Sequence, residues 1–489
     1  MKALEPAAVW QFFHDITQIP RPSKKEERII AYLKAFGEKH NLLTKSDAAG
    51  NVLICKPATK GKEKSKIVIL QSHLDMVCEK NNDTIHNFDT DPIQTYIEDG
   101  WVKARGTTLG ADNGIGISMM LAVLASDKLK HPALECLFTV DEETGLTGAF
   151  ALDKSFLTGD ILINLDSEDD GEVFVGCAGG IDTVGIISYK SEKTPDKFFG
   201  FSMVVKGLKG GHSGDDIDKG LGNANKILNR FLWSVNKKMD LRLQSFNGGN
   251  LRNAIAREAV AVGCVPYSEK ETIRVMFNMF VTDIENELRD VESKMLLELE
   301  SESLPETVID KKTSNALLNV LYACPHGVKA MSADMPGLVE TSTNLASVKM
   351  KEGNKIEITT SQRSSVETSK QDIANQVESV LLLSGAAVSH GDGYPGWKPN
   401  LQSDILKVAS ESYKKLFDEE PKIRAIHAGL ECGLFLEKYP HLDMISIGPQ
   451  MYGVHSPDER LSISSTQKCW KWLVEILNMS KDKGQKSEV

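Results

Sequence analysis

The chain has 489 residues, 41% of them hydrophobic and 26% charged, with a formal net charge of −11. That length exceeds what one hydrophobic core supports, so two domains are expected, and the acidic balance argues against a nucleic-acid partner. No apolar run approaches the roughly 20 residues that span a bilayer, so no membrane partner is expected either. The first twenty residues lack a signal peptide's continuous apolar centre, and the eight cysteines are scattered without a CxxC pair, which argues for a reducing cytoplasm.

In chain order, Val9, Phe12, Phe13 and Ile16 recur at helical spacing and predict an amphipathic first helix. Residues 24–40 read as a second helix. Residues 66–70 form a short apolar run suited to a buried parallel strand. Residues 114–124 read as a helix, and 134–140 and 161–165 as further strands. The alternation predicts an α/β fold with a mostly parallel sheet, whose functional groups gather beyond the carboxyl ends of the strands. Near residue 185 the chain becomes richer in Lys, Asn, Ser and Glu. There 201–206, 272–280 and 355–361 read as strands, and 222–233, 282–300 and 368–383 as helices. Residues 390–396 are turn-rich and suit a return linker, followed by a helix over 401–416, a strand over 442–447 and a terminal helix. The expected organisation is a discontinuous first domain, residues 1–185 and 396–489, interrupted by an inserted α+β domain, residues 186–395.

Polar residues at the ends of these runs carry the chemistry. His73 and Asp75 stand two apart after a buried strand, so both point to one face if the strand persists, and Asp75 can orient the imidazole. Asp112 sits in the glycine-dense segment GADNGIG, which reads either as a turn and helix cap or as a tight loop presenting a bridging carboxylate. Glu142 and Glu143 follow an apolar strand in DEETG, a charged turn unless nearby cations relieve their repulsion. Asp166 ends the next run. His212 lies between glycines in GGHSG, and His455 lies in a turn, YGVHSPDE. Of these, His73, Asp112, Glu143, Asp166 and His455, two histidines and three carboxylates, suit two zinc ions sharing one carboxylate, the layout of a hydrolase that activates water.

The combination SHLD, GADNGIG, DEE, NLD, GGHSG and GVHSPDE resembles the co-catalytic zinc metallopeptidases that include carboxypeptidase G, aminoacylase and succinyl-diaminopimelate desuccinylase. Longer stretches, among them KPATKGKEKSKIVILQSHLDMV, NNDTIHNFDTDPIQ, WVKARGTTLGADNGIG and GCAGGID, are similar to the family's dipeptidase branch over nearly the whole length. The resemblance implies that His73 and Asp166 hold one zinc, Glu143 and His455 the other, and that Asp112 bridges them. It implies Glu142 as general base, Asp75 as the group orienting His73, and His212 as the oxyanion donor on a closing lid. It further implies Glu431, in AGLECG, for the substrate's free amine and Arg363, in SQRS, for its carboxylate. The expected activity is hydrolysis of unblocked dipeptides, Xaa-His and β-alanyl-histidine included, with Zn2+ that Co2+ or Mn2+ can replace. A homodimer is left open. The rival readings are an acylamino acid deacylase of the same fold and a non-catalytic metal-binding protein.

Overall fold

The computed structural model describes Met1 and residues 4–480. The chain divides into two units: residues 1–176, 398–425 and 430–489 form the first, and residues 177–397 with 426–429 the second.

In the first unit the amphipathic helix forms over Ala7–Thr17 and buries Val9, Trp10, Phe13 and Ile16. An eight-stranded sheet runs in the order Leu43–Ser46, Val52–Lys56, Leu134–Thr139, Val68–His73, Ile161–Asn164, Asp443–Ser446, Glu172–Cys177, Lys422–Ile426. The four strands from Leu134–Thr139 to Asp443–Ser446 are parallel, and antiparallel pairs flank them. Val68–His73, Leu134–Thr139 and Ile161–Asn164 are buried along their whole length, which explains their near-continuous apolar reading. The helix Ala111–Ala125 is apolar on all sides and almost wholly buried. It packs against both Ala7–Thr17 and Val68–His73. A small antiparallel sheet of Met451–Tyr452, Arg460–Ser462, Trp101–Ala104 and Thr95–Glu98 brackets the turn that carries His455.

The second unit is α+β. Its nine-stranded sheet is antiparallel throughout its recorded pairs and centres on the long hairpin Val339–Lys351 and Lys355–Ser364. Helices Ala224–Lys238, Lys270–Leu288, Lys311–Ala323 and Glu367–Leu383 contribute to its core, with Phe201, Phe231, Phe246 and Leu345 at the centre. Here two expectations fail. Residues 272–280 are not a strand but lie within the helix Lys270–Leu288, and the helix expected over 282–300 ends at Leu288, with Leu296–Glu302 a strand. The β-branched and aromatic content of TIRVMFNMF suggested a strand. The buried set Ile273, Phe277, Phe280 and Ile284 follows the four-three-four spacing of one helix face. Among the described residues no helix is long and apolar enough to cross a membrane.

Candidate active site

Beyond the carboxyl ends of the parallel strands, the first unit gathers His73, Asp112, Glu142, Glu143, Asp166 and His455. His73 is the last residue of its strand and is buried. Its Nε2 lies 2.9 Å from Asp112 Oδ1 and 3.3 Å from Asp166 Oδ1. His455 Nε2 lies 3.1 Å from Asp112 Oδ2 and 3.1 Å from Glu143 Oε2. The two oxygens of one carboxylate therefore address different imidazoles. Two triplets result, His73–Asp112–Asp166 and Asp112–Glu143–His455, each with donor atoms within 4.8 Å of one another. A third grouping, His73–Glu142–Glu143, brings in Glu142, to which no metal role was given.

Local backbone sets these directions. Asp112 enters on a turn whose first residue, Gly110, has φ +68°, and a Cβ there would lie 2.7 Å from Arg21 Nη2 and 2.8 Å from Met76 Sδ. Only glycine meets both demands. Asp141 and His455 also adopt left-handed φ, 51° and 63°. Such residues cost about 1–3 kcal/mol and collect where the surroundings over-determine the backbone. Asp75 takes the backbone amides of Glu142 and Glu143 at 3.0 and 3.2 Å and the Ser23 hydroxyl at 2.7 Å. Its Oδ1 also lies 3.3 Å from His73 Nδ1, an oblique ion-pair contact. One aspartate thus ties His73 to the turn bearing Glu142 and Glu143.

The electrostatics are those of too many acids for the cations present. Against burial, which lowers it, the carboxylates of Asp166, Asp112 and Asp75 raise the His73 imidazole well above its ordinary value. Hydrogen bonds to Asp112 and Glu143 push His455 to about 11. Burial would raise Asp75, but His73 and Ser23 bring it down to about 2. Glu142 is raised well above the carboxylate range by burial and by Asp166, Glu143 and Glu431. Glu431, raised to about 8 by burial with Asp166 adding to it, accepts from Gln71 and Thr139. Glu168 is raised to about 8 by burial and by Asp112 and Asp166. Glu143 Oε1 is buried without a hydrogen-bond partner. Imidazole nitrogens, clustered carboxylates and an orphaned carboxylate oxygen could hold a pair of divalent cations.

Two further residues brace this centre. Glu459, 2% exposed, accepts from the backbone amides of Leu109, Gly110 and Ala111 at 2.6, 3.0 and 2.8 Å and from that of Asp112 at 3.4 Å. It joins the Asp112 loop to the segment carrying His455. Arg21, also 2% exposed, donates to the carbonyls of Leu74, Asp75 and Gly110. Neither was singled out from sequence, although Glu459 closes the SPDE turn and a capping acid there was the available signal.

The second unit holds His212 and Arg363. Arg363, at the end of the hairpin strand, is buried. It donates to Tyr394 Oη at 2.8 Å and Ser213 Oγ at 3.3 Å, and its Nη2 lies 3.4 Å from His212 Nε2. No carboxylate lies within ion-pair distance of it among the described residues. His212 Nδ1 faces the amides of Gly214 and Asp215 at 3.3 and 3.2 Å and the Asp215 carboxylate at 3.5 Å. His427, buried against Ser342 Oγ at 2.7 Å, is lowered to about 4 by burial and by Arg363.

The sequence model of peptidase family M20/M25/M40 matches residues 69–479. The cytosol non-specific dipeptidase of Escherichia coli (strain K12) is 45% identical over 477 residues, 98% of this chain and 98% of that one. The crystal structure of aminoacylhistidine dipeptidase from Vibrio alginolyticus shares 43% identity at a TM-score of 0.92, covering 99% of this chain and 98% of that one. Aminopeptidase PepT from Bacillus cereus ATCC 10987 has a TM-score of 0.57 at 16% identity, covering 97% and 98% of the two chains, a likeness of fold alone.

Proposed function

Because this chain belongs to peptidase family M20/M25/M40, we propose that it is a metal-dependent dipeptidase. It hydrolyses the peptide bond of unblocked dipeptides, Xaa-His included and β-alanyl-histidine among the candidates. The observation that carries this reading is Asp112, whose two oxygens each face a different histidine, with Asp166 and Glu143 completing the two triplets. In this reading His73 and Asp166 hold one cation, Glu143 and His455 the other, and Asp112 both. The nitrogen and oxygen donor set suits zinc, with Co2+ or Mn2+ able to substitute. Two such ions, when bound, supply charge stabilisation and a water acidic enough to attack near neutral pH.

The chain's own residues supply the rest. Glu142, fixed through its amide to Asp75, takes a proton from the attacking water and returns it to the leaving amine. Asp75 holds the His73 ring in register. His212 is assigned to the developing oxyanion. Glu431 presents a buried carboxylate oxygen with no partner, Oε1, to a cation. That favours a free amine over the blocked amine of an acylamino acid. Arg363, ringed by uncharged partners, is assigned to a carboxylate. The eight cysteines are free thiols, and with the E. coli relative named a cytosol enzyme we place the chain in the cytoplasm.

The deciding experiment compares kcat/KM for a dipeptide, its N-acetyl form and its C-terminal amide, with and without chelator. The free dipeptide should be preferred and chelation should abolish turnover. Equal cleavage of the acetylated form would turn the reading towards a deacylase, and metal binding without turnover of any of the three would leave a non-catalytic protein.

A further inference from the structure

A row of polar side chains crosses the parallel strands beneath Glu431. Strand register places Gln71 opposite Asn164 and Asn164 opposite Ser446, so three adjacent strands contribute neighbouring side chains to one face. Hydrogen bonds run through the row in one direction. Ser446 Oγ donates to Asn164 Oδ1, Asn164 Nδ2 donates to Gln71 Oε1 at 2.6 Å, and Gln71 Nε2 donates to Glu431 Oε2 at 2.6 Å. Thr139 Oγ1 donates to the same Glu431 oxygen at 2.9 Å. Gln71, Thr139, Asn164 and Ser446 are 0% exposed and Glu431 is 1% exposed. With its oxygen committed to Asn164, the Gln71 amide cannot turn over without losing the bonds at both of its ends.

The consequence falls on Glu431. Two donors occupy Oε2, while Oε1 is buried and without a partner. No Lys or Arg lies within ion-pair distance of this carboxylate among the described residues. A buried carboxylate oxygen left without a donor is costly, so a ligand that brings a charged N–H donor to it gains in proportion. The gain depends on where Oε1 points, and that direction is set by what holds Oε2.

We propose that Gln71, with Thr139, is the positioning residue for free-amine selectivity, holding Glu431 Oε2 so that Oε1 meets the ammonium of the substrate. The inference rests on the assignment of Glu431 to the substrate amine. Gln71 touches no substrate and acts only through Glu431. Its loss should therefore appear as a rise in KM for charged-amine substrates, where a merely structural role would lower stability and leave the choice between substrates intact.

The test measures kcat and KM for a dipeptide and its N-acetyl form, with metal content, in Gln71→Met, Thr139→Val and Thr139→Ser. Gln71→Met keeps the side-chain length and removes the three hydrogen bonds of the Gln71 amide, to Glu431, to Thr139 and from Asn164. It should retain its metal, raise KM for the free dipeptide about tenfold or more, and shrink the free-over-acetylated ratio accordingly. Thr139→Val should shift the ratio in the same direction by less, and Thr139→Ser should restore it. A wild-type ratio in Gln71→Met, whether or not stability or metal content falls, overturns the proposal. Should Gln71→Met not fold, an unchanged ratio in Thr139→Val overturns it alone. The underlying assignment fails separately. If the wild type does not discriminate, or Glu431→Gln leaves the ratio untouched, the amine reading is wrong. If Glu431→Gln loses the ratio while Gln71→Met and Thr139→Val keep it, only the positioning role is wrong.

Discussion

The two histidines of the first unit's acid-rich cluster and His427 of the second unit behave in opposite ways, and the contrast shows what each site is made to receive. In the first, carboxylates crowd His73 and His455 and raise both rings, His455 to about 11. In the second, burial and the neighbouring Arg363 lower His427 to about 4. The first site carries surplus negative charge, and acids around it, Glu142, Glu168 and Glu431, are raised in turn. The second carries one buried guanidinium whose partners are hydroxyls and an imidazole. Burying charge is tolerated only where a partner compensates it. One site therefore asks for cations and the other for an anion.

The contrast is broken most severely by removing the compensating cations. Chelation should abolish turnover, and elemental analysis of active protein should return about two metals per chain. Asp112→Ala should lose metal and activity together, because one carboxylate serves both triplets. Active protein that holds a single metal and gains nothing from more would refute the shared-carboxylate arrangement. Glu142→Ala should behave differently. Metal should remain near two per chain while kcat falls at least ~10²-fold, as expected for loss of a general acid–base group. Near-normal turnover in that variant would remove Glu142 from the mechanism.

Glu459 gives a smaller effect and sharpens the picture of how the acid-rich site is held. It satisfies the amides of the Asp112 loop and lies four residues beyond His455. Glu459→Ala should weaken metal affinity by about 10–100-fold, the range for lost outer supports of metal ligands. It should also lower stability by about 2 kcal/mol, the order for buried amides that lose a charged acceptor. Competition with a graded chelator reads the first and chemical denaturation of the metal-free protein reads the second. Wild-type metal affinity in Glu459→Ala would show that Asp112 is held by its own backbone alone.

Much of the acid-rich site was legible because it violates a local expectation. Acids that directly follow buried apolar strands, as Glu142, Glu143 and Asp166 do, have no place in a core unless something charged meets them. Glu459, Arg21 and Gln71 left no such trace. Their partners lie far along the chain, Glu459 some 350 residues from Leu109, and each sits in a stretch with a sufficient local explanation: a turn, a loop, a strand. The second unit was less legible for a related reason. Its sheet is antiparallel and its helices are amphipathic, so short apolar windows such as 272–280 fit either period until the buried positions are known. Tyr394 sat in a segment read only as a linker, since Gly391, Gly393, Pro395 and Gly396 outweighed one aromatic residue.

That tyrosine offers the finest test of the anion-seeking site. Its ring is wedged between Gly180 and Gly429, where added Cβ atoms would lie 2.7 Å from it. Its backbone pairs with Gly180 in both directions. The hydroxyl is thus held in place when it accepts from Arg363 Nη1 at 2.8 Å. Burial raises the phenol above its ordinary value despite Arg363, so the oxygen keeps its proton and can donate it to an anion that Arg363 attracts. Tyr394→Phe keeps the wedge and deletes only this relay. One hydrogen bond of net worth about 1 kcal/mol corresponds to about fivefold in binding, so KM for a free dipeptide should rise about fivefold with kcat nearly unchanged. The C-terminal amide, which offers no negative charge, should show a smaller rise, and Arg363→Ala should erase the difference between acid and amide altogether. Equal KM shifts for acid and amide in Tyr394→Phe would mean that the hydroxyl only packs the arginine. The anion site would then consist of the guanidinium without its ring of neutral donors.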